Sequence, residues 1–171
     1  LLENKNVKIV TNTEVVKVNS LNGKITSVVD QNGKIWEADI FVSNSDAASF
    51  RGQILNRKKF SEQKLEKMHW TLAPFTIYLG VKGNVDKLIH HNYFLGSNFR
   101  GYADKIFTSS ISPQKPYYYV NALSKSEKDV APEGHENIFI LCPVPDLRYK
   151  PNWDDKEELA NNIIADLSKR V

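Results

Sequence analysis

One cysteine, Cys142, is all the sequence offers for thiol chemistry, so no internal disulfide can form and the chain suits a reducing compartment. Charge of one sign is also lacking. Lys plus Arg is 23 against 20 Asp plus Glu, a net charge of +3, too balanced to point to nucleic acid. No apolar run approaches the roughly 18 residues that span a bilayer, and no signal-peptide pattern precedes the first strand-like run, so a soluble or peripheral cytoplasmic segment is expected. The eight glycines form neither Gly-x-Gly-x-x-Gly nor a P-loop, which leaves no phosphate cradle in this stretch. Gly-x-Ser-x-Gly, HExxH and CxxC are missing too, so acyl-transfer and zinc chemistries have no motif to rest on.

What is present is a globular balance. Of 171 residues, 41% are apolar, 25% charged and 11% aromatic, which excludes disordered, collagen-like and coiled-coil chains. A chain of this length buries roughly 70% of its unfolded surface, enough for a real core. It opens on Leu1-Leu2-Glu3-Asn4 without Met and stops at Val171, one residue past a helical pattern, so a piece of a longer protein is expected.

The first 45 residues read as strand-rich. Val7 to Val10 is a short apolar run, and β-branched runs at Thr13–Ser20 and Lys24–Asp30 flank Asn22-Gly23, the strongest short-range hairpin signal. Asn32-Gly33 leads into Ile35 and Trp36, then into Asp39–Ser43, expected as a buried strand. Asp46 or Ser45 is expected to cap a helix through Leu55, and Ser61 a second in which Leu65 and Met68 share a face. Strands are expected at 75–82, 92–95, 117–122 and 137–142, with a helix between Asn98 and Phe107. The last helix is the clearest: Asn152 is the expected cap, acidic residues load its first turn, and Leu159, Ile163 and Leu167 recur every four residues. The fold class is therefore α+β, a mixed, mainly antiparallel sheet carrying helices.

Residues with chemical potential mostly have plain structural readings. Adjacent strand residues point to opposite faces, so His90 and His91 are expected not to share one ion, and structural or hydrogen-bonding roles fit them better. His69 and His135 are isolated. Cys142 lies in the apolar run from Ile138, where a thiol is an inert core group. No catalytic residue and no metal ligand is assigned. Aromatic residues crowd the middle of the chain, as in a core or an apolar ligand channel, and these two readings stay open.

The order of motifs resembles one family. Thr13-Glu14-Val15-Val16-Lys17-Val18, then Asn22-Gly23-Lys24, then Ala38-Asp39-Ile40-Phe41-Val42-Ser43-Asn44-Ser45-Asp46 is similar to the middle of the bacterial-type phytoene desaturases, FAD-dependent relatives of the amine oxidases. Phe75 to Val81 resembles that family's F-x-x-Y-x-G strand. His90-His91-Asn92 resembles its HHN segment, and Ala131-Pro132-Glu133-Gly134 and Pro143-Val144-Pro145 its APEG and PVP elements. Ser45 replaces the family's alanine, and Leu72-Ala73-Pro74 stands where serines are common, which leaves the substrate within the family open.

The resemblance implies a fragment of an amine-oxidase-like two-domain fold. Residues 1–50 would end the FAD-binding domain and residues 51–171 would form a substrate domain truncated at its C-terminus. It implies Val15, Asn44 and Ser45 as cofactor contacts, FAD held by the full-length protein and not by this stretch alone, and dehydrogenation of a phytoene-like C–C bond. A carotenoid or other isoprenoid hydrocarbon would be drawn from a membrane surface, with the enzyme cytoplasmic and peripherally bound. A polyene about as long as a bilayer is thick needs an extended wall, so Thr76, Tyr78 and Phe94 are the expected substrate contacts. A carotenoid isomerase or saturase of the same family, and a noncatalytic apolar-ligand module, are the competing readings.

Overall fold

The computed structural model describes residues 7–171; the opening Leu1-Leu2-Glu3-Asn4 falls outside the described residues. The chain divides into two compact units, residues 1–69 and residues 70–171.

In the first unit, β1 (Val15–Leu21) and β2 (Lys24–Asp30) form the expected hairpin. Asn22 and Gly23 both take positive φ, 51° and 78°, the pair of angles a type I′ turn demands and the reason Asn-Gly is selected there. β3 (Ile35–Glu37) adds to the other side of β2, giving the order β1-β2-β3. The second turn is organised by Asp30. Its carboxylate accepts from the Asn32 and Lys34 amides at 2.9 and 3.0 Å and from the Trp36 indole at 2.9 Å. The indole hydrogen bond leads the interactions that hold this carboxyl below the usual aspartate range.

Four expectations for this unit need correction. Val7 to Val10 forms no strand and is exposed. Asp39–Ser43 is not a buried strand: Ile40 and Val42 are 80% and 90% exposed, and no strand among the described residues pairs with the segment. An apolar run becomes a buried strand only where a ladder partner and a covering face exist. The helix capped by Asp46, whose Oδ1 accepts from Ser49 N at 2.7 Å, makes one α turn, α1 (Ala47–Ser49), then widens into a π turn over Phe50–Ile54. Gly52 within it lies so close to the Phe60 carbonyl that a Cβ would sit 2.5 Å from the oxygen. Ser61 opens the short α2 (Glu62–Leu65) without a side-chain cap bond, and Met68 falls beyond its end.

The second unit is a four-stranded antiparallel sheet ordered β4-β7-β6-β5, built from β4 (Ala73–Lys82), β5 (His91–Phe94), β6 (Tyr118–Ala122) and β7 (His135–Val144). β4 and β7 pair along their whole length, from Ala73 opposite Val144 to Lys82 opposite His135. Alternation sets one face inward. Val120, Ile138, Ile140 and Cys142 are buried there with Leu159, Ile163 and Leu167 of α4 (Lys156–Arg170), so the four-residue spacing in the helix and the two-residue spacing in the strands meet in one core. α3 (Phe99–Ile106) is capped by Asn98, whose Oδ1 accepts from Gly101 N at 3.0 Å. α4 starts later than expected. Its N-cap is Asp155; Asn152 closes a turn before it by accepting from Asp154 N at 2.7 Å. No helix among the described residues is long and apolar enough to cross a membrane.

Candidate functional site

Pleating leaves the second unit's sheet with one face turned away from its core. Thr76, Leu141, Tyr119 and Tyr93 lie in one cross-strand row on that face, and Tyr78, Phe139, Asn121 and His91 lie in the next. Tyr78 and Tyr93 are 75% and 73% exposed, unusual for residues of this size in the middle of a sheet. Their rings nonetheless pack across strands: Tyr78 on Phe139 at 5.1 Å and Tyr93 on Tyr119 at 5.2 Å between centroids. The result is an aromatic and aliphatic wall with regular rows.

Thr76 and Tyr78 are together on this wall. Phe94 is not. It pairs with Tyr118 in the row behind, stacks on that ring at 5.1 Å and packs against the core under the Arg170 guanidinium. Its neighbour Tyr93 occupies the open face instead, a position that parity along β5 decides.

One edge of the wall is polar, and it overturns the expected separation of the two histidines. Their rings stack at 4.1 Å, because His90 precedes β5 and strand alternation governs only residues inside a strand. His91 Nδ1 lies 2.7 Å from the Tyr119 hydroxyl, to which Asn121 Nδ2 donates at 3.0 Å. His90 Nδ1 lies 2.6 Å from Ser126 Oγ. No cluster of metal-ligating side chains occurs among the described residues. The signal that sequence reading passed over is the i, i+2 spacing of Tyr119 and Asn121, which places both beside His91.

Cys142 behaves as expected of a core thiol. Burial pushes it up to about 11, and Tyr102, whose hydroxyl donates to the Pro143 carbonyl at 2.7 Å, lies alongside at 3.8 Å.

Within the first unit, Val15, Asn44 and Ser45 all line one cleft of about 540 Å³. Val18, Ile25 and Val28 supply apolar lining; Glu14, Ser43 and Asp46 supply polar lining. Ser43 and Ser45 share a hydroxyl hydrogen bond of 2.8 Å. α1 also borders this cleft, but its Ser49 amide is spent on Asp46. The lining is therefore part apolar and part polar.

No family model matches the chain. Individual proteins do. It is 31% identical over 77% of its length to a zeta-carotene-forming phytoene desaturase of Myxococcus xanthus, covering 25% of that protein. The chain is thus similar to phytoene desaturases over most of its own length. A neurosporene-forming phytoene desaturase of Rhodobacter capsulatus is 29% identical over 94% of the chain and 32% of its own length. A 4,4'-diaponeurosporene oxygenase of Staphylococcus haemolyticus is 28% identical over 95% of the chain and 33% of its own length. The chain thus spans a quarter to a third of the length of these phytoene desaturase-family relatives.

Proposed function

We propose that this chain is part of an FAD-dependent carotenoid desaturase and that the open face of its second unit is the wall against which a phytoene-like polyene lies. The observation that carries this reading is the double row of exposed Thr76, Tyr78 and Tyr93 with Phe139, Tyr119 and Leu141 between them. Strands rise about 3.3 Å per residue, so β4 and β7 offer a surface of about 30 Å along their length, matched to an extended isoprenoid. Alternating side chains provide it with no unpaired backbone group toward the ligand.

In this reading residues 1–50 end the FAD-binding lobe and residues 51–171 form the substrate lobe, although residues 51–69 are compact with the first unit, so lobe and unit boundaries differ. The cleft lined by Val15, Asn44 and Ser45 fits the adenosine end of FAD, with the pyrophosphate held elsewhere in the whole protein. Bound flavin supplies the hydride acceptor for removing two hydrogens from a C–C bond. The wall contributes orientation and exclusion of water, which is why the chain needs few acids or bases. The substrate is lipid-borne, and the whole enzyme is expected to work in the cytoplasm at a membrane surface. Similarity to the diaponeurosporene oxygenase supports a second reading, oxygenation of a polyene end on the same wall.

Tyr78→Trp in the full-length enzyme tests the wall. The expected result is a shifted product distribution or a raised KM with unchanged FAD content. Loss of flavin instead, or equal unfolding by substitutions on both faces of β4, would return the strand to ordinary core. The products formed separate desaturation from isomerisation, saturation and oxygenation.

A further inference from the structure

We propose that Gly80 marks where a polyene chain on the open face of the second unit comes closest to the sheet, and that its missing side chain decides which chains fit there. This rests on the wall assignment above and names a specificity-determining position within it.

Glycine is costly inside a strand, because it gives up more conformational freedom than any other residue and leaves no side chain to pack. Seven of the eight glycines have a reason in the fold. Four hold φ between 72° and 102°, and at three others a Cβ would lie 2.5 to 2.8 Å from a neighbouring atom. Gly80 has neither reason. It sits inside β4 opposite Asn137, outside the positive-φ region, and a Cβ there would meet nothing within 4 Å among the described residues. Its place on an exposed strand face does not call for glycine either, since Thr76 and Tyr78 carry side chains on the same face of the same strand.

The space above Gly80 is kept open by its neighbours. Tyr78 leans across the ladder onto Phe139 at 5.1 Å between centroids, and the Asn137 amide is tied back, its Nδ2 donating to the Val130 carbonyl at 3.2 Å. Lys82 is the next residue of β4 on this face. From Tyr78 to Lys82 the strand therefore runs about 13 Å with no side chain of its own on the open side. A hydrocarbon chain that rides on the Tyr78 ring can descend there to the backbone, the kind of close approach for which a strand glycine is kept. An added methyl would hold the chain off, and a β-branched side chain would fill the gap.

The test uses the full-length enzyme with phytoene in detergent micelles. In Gly80→Ala, the urea midpoint is expected to stay or rise, because the backbone loses freedom in the unfolded chain and nothing is displaced in the folded one. Its KM should rise about threefold, and that of Gly80→Val about tenfold, the cost of overfilling a contact, with flavin content unchanged in both. An unchanged KM in Gly80→Val overturns the contact, whatever happens to kcat. Loss of flavin or a lowered urea midpoint in Gly80→Ala overturns it too, by showing that the glycine makes room for another part of the whole protein. Should Gly80→Val not fold, the KM of Gly80→Ala decides. Tyr78→Trp is assayed alongside: if it moves KM or products and Gly80→Val does not, the wall stands and only this contact falls, whereas if neither substitution has an effect, both fall.

Discussion

Tyr118 of β6 donates its hydroxyl proton to Asp166 of α4 over 2.6 Å, joining the middle of the sheet to the helix that covers it. Asp166 also accepts from Arg170 one helical turn on, at 2.8 Å. Burial pushes the Asp166 carboxyl up, but the tyrosine and arginine outweigh it and hold the group below its usual range; burial raises the Tyr118 phenol in turn.

Tyr118→Phe is expected to destabilise the protein by about 1 kcal/mol at neutral pH, a charged hydrogen bond discounted for the partial exposure of Asp166. The sign with pH follows from the lowered carboxyl. Its contribution is complete above the unfolded value near pH 4 and is lost as pH falls through the folded one. Urea denaturation of both proteins should therefore show a deficit at pH 7 that narrows on acidification. A deficit that is constant with pH would show that packing, and not the hydrogen bond, was lost.

Ile163 is fully buried in α4 among Leu159, Leu167 and the sheet residues. Ile163→Ala should cost about 3 kcal/mol, the transfer of the lost methylenes plus the cavity left behind. Denaturant melts check this directly, and a cost under 1 kcal/mol would mean that the helix does not share a core with the strands.

Glu136 at the start of β7 is 7% exposed at its side chain and accepts from Lys125 Nζ at 2.5 Å and from Ser124. Burial opposes its charge, while Lys125, Ser124 and the Val85 amide favour it more strongly and lower its pKa. Glu136→Ala leaves the lysine with only its 2.7 Å hydrogen bond to Asn84 Oδ1 and is expected to destabilise by about 2 kcal/mol. Lys125→Met in the same background should recover part of the loss, and a double-mutant cycle measures the coupling. Additive effects would show that the two charges are not energetically linked.

Local chemistry made part of this fold legible. Asn22-Gly23 specifies its own backbone angles, and Leu159, Ile163 and Leu167 share a helix face whatever surrounds them. Features that depend on a partner were not legible. Asp39–Ser43 has the composition of a buried strand and no strand to pair with among the described residues. Asn152 and Asp155 are both good capping types, and the turn that Asn152 closes with Asp154 passes the helix start to Asp155. At the candidate sites, Val15, Asn44 and Ser45 line one cleft, and Thr76 and Tyr78 share the open face. Phe94 misses that face by one residue of parity in a four-residue strand, a distinction that composition cannot carry.

The isolated chain is expected to purify colourless. Val15, Asn44 and Ser45 line the cleft proposed for the adenosine end, and the helix turn bordering it spends the Ser49 amide on Asp46. The pyrophosphate supplies much of the anchoring of a dinucleotide, through free amides at a helix N-terminus, and no glycine-rich turn of that kind occurs in this sequence. Titrating FAD into the protein at about 10 μM should leave the flavin spectrum and its fluorescence unchanged, while the full-length enzyme purifies yellow. Asn44→Ala in the full-length enzyme should then raise the FAD dissociation constant several-fold, because one polar contact at the adenosine end is lost while the pyrophosphate anchor stays. A yellow isolated chain at near-stoichiometric occupancy would show that the cleft holds FAD without a cradle. Full-length Asn44→Ala with unchanged flavin affinity would instead remove the cleft from the cofactor site.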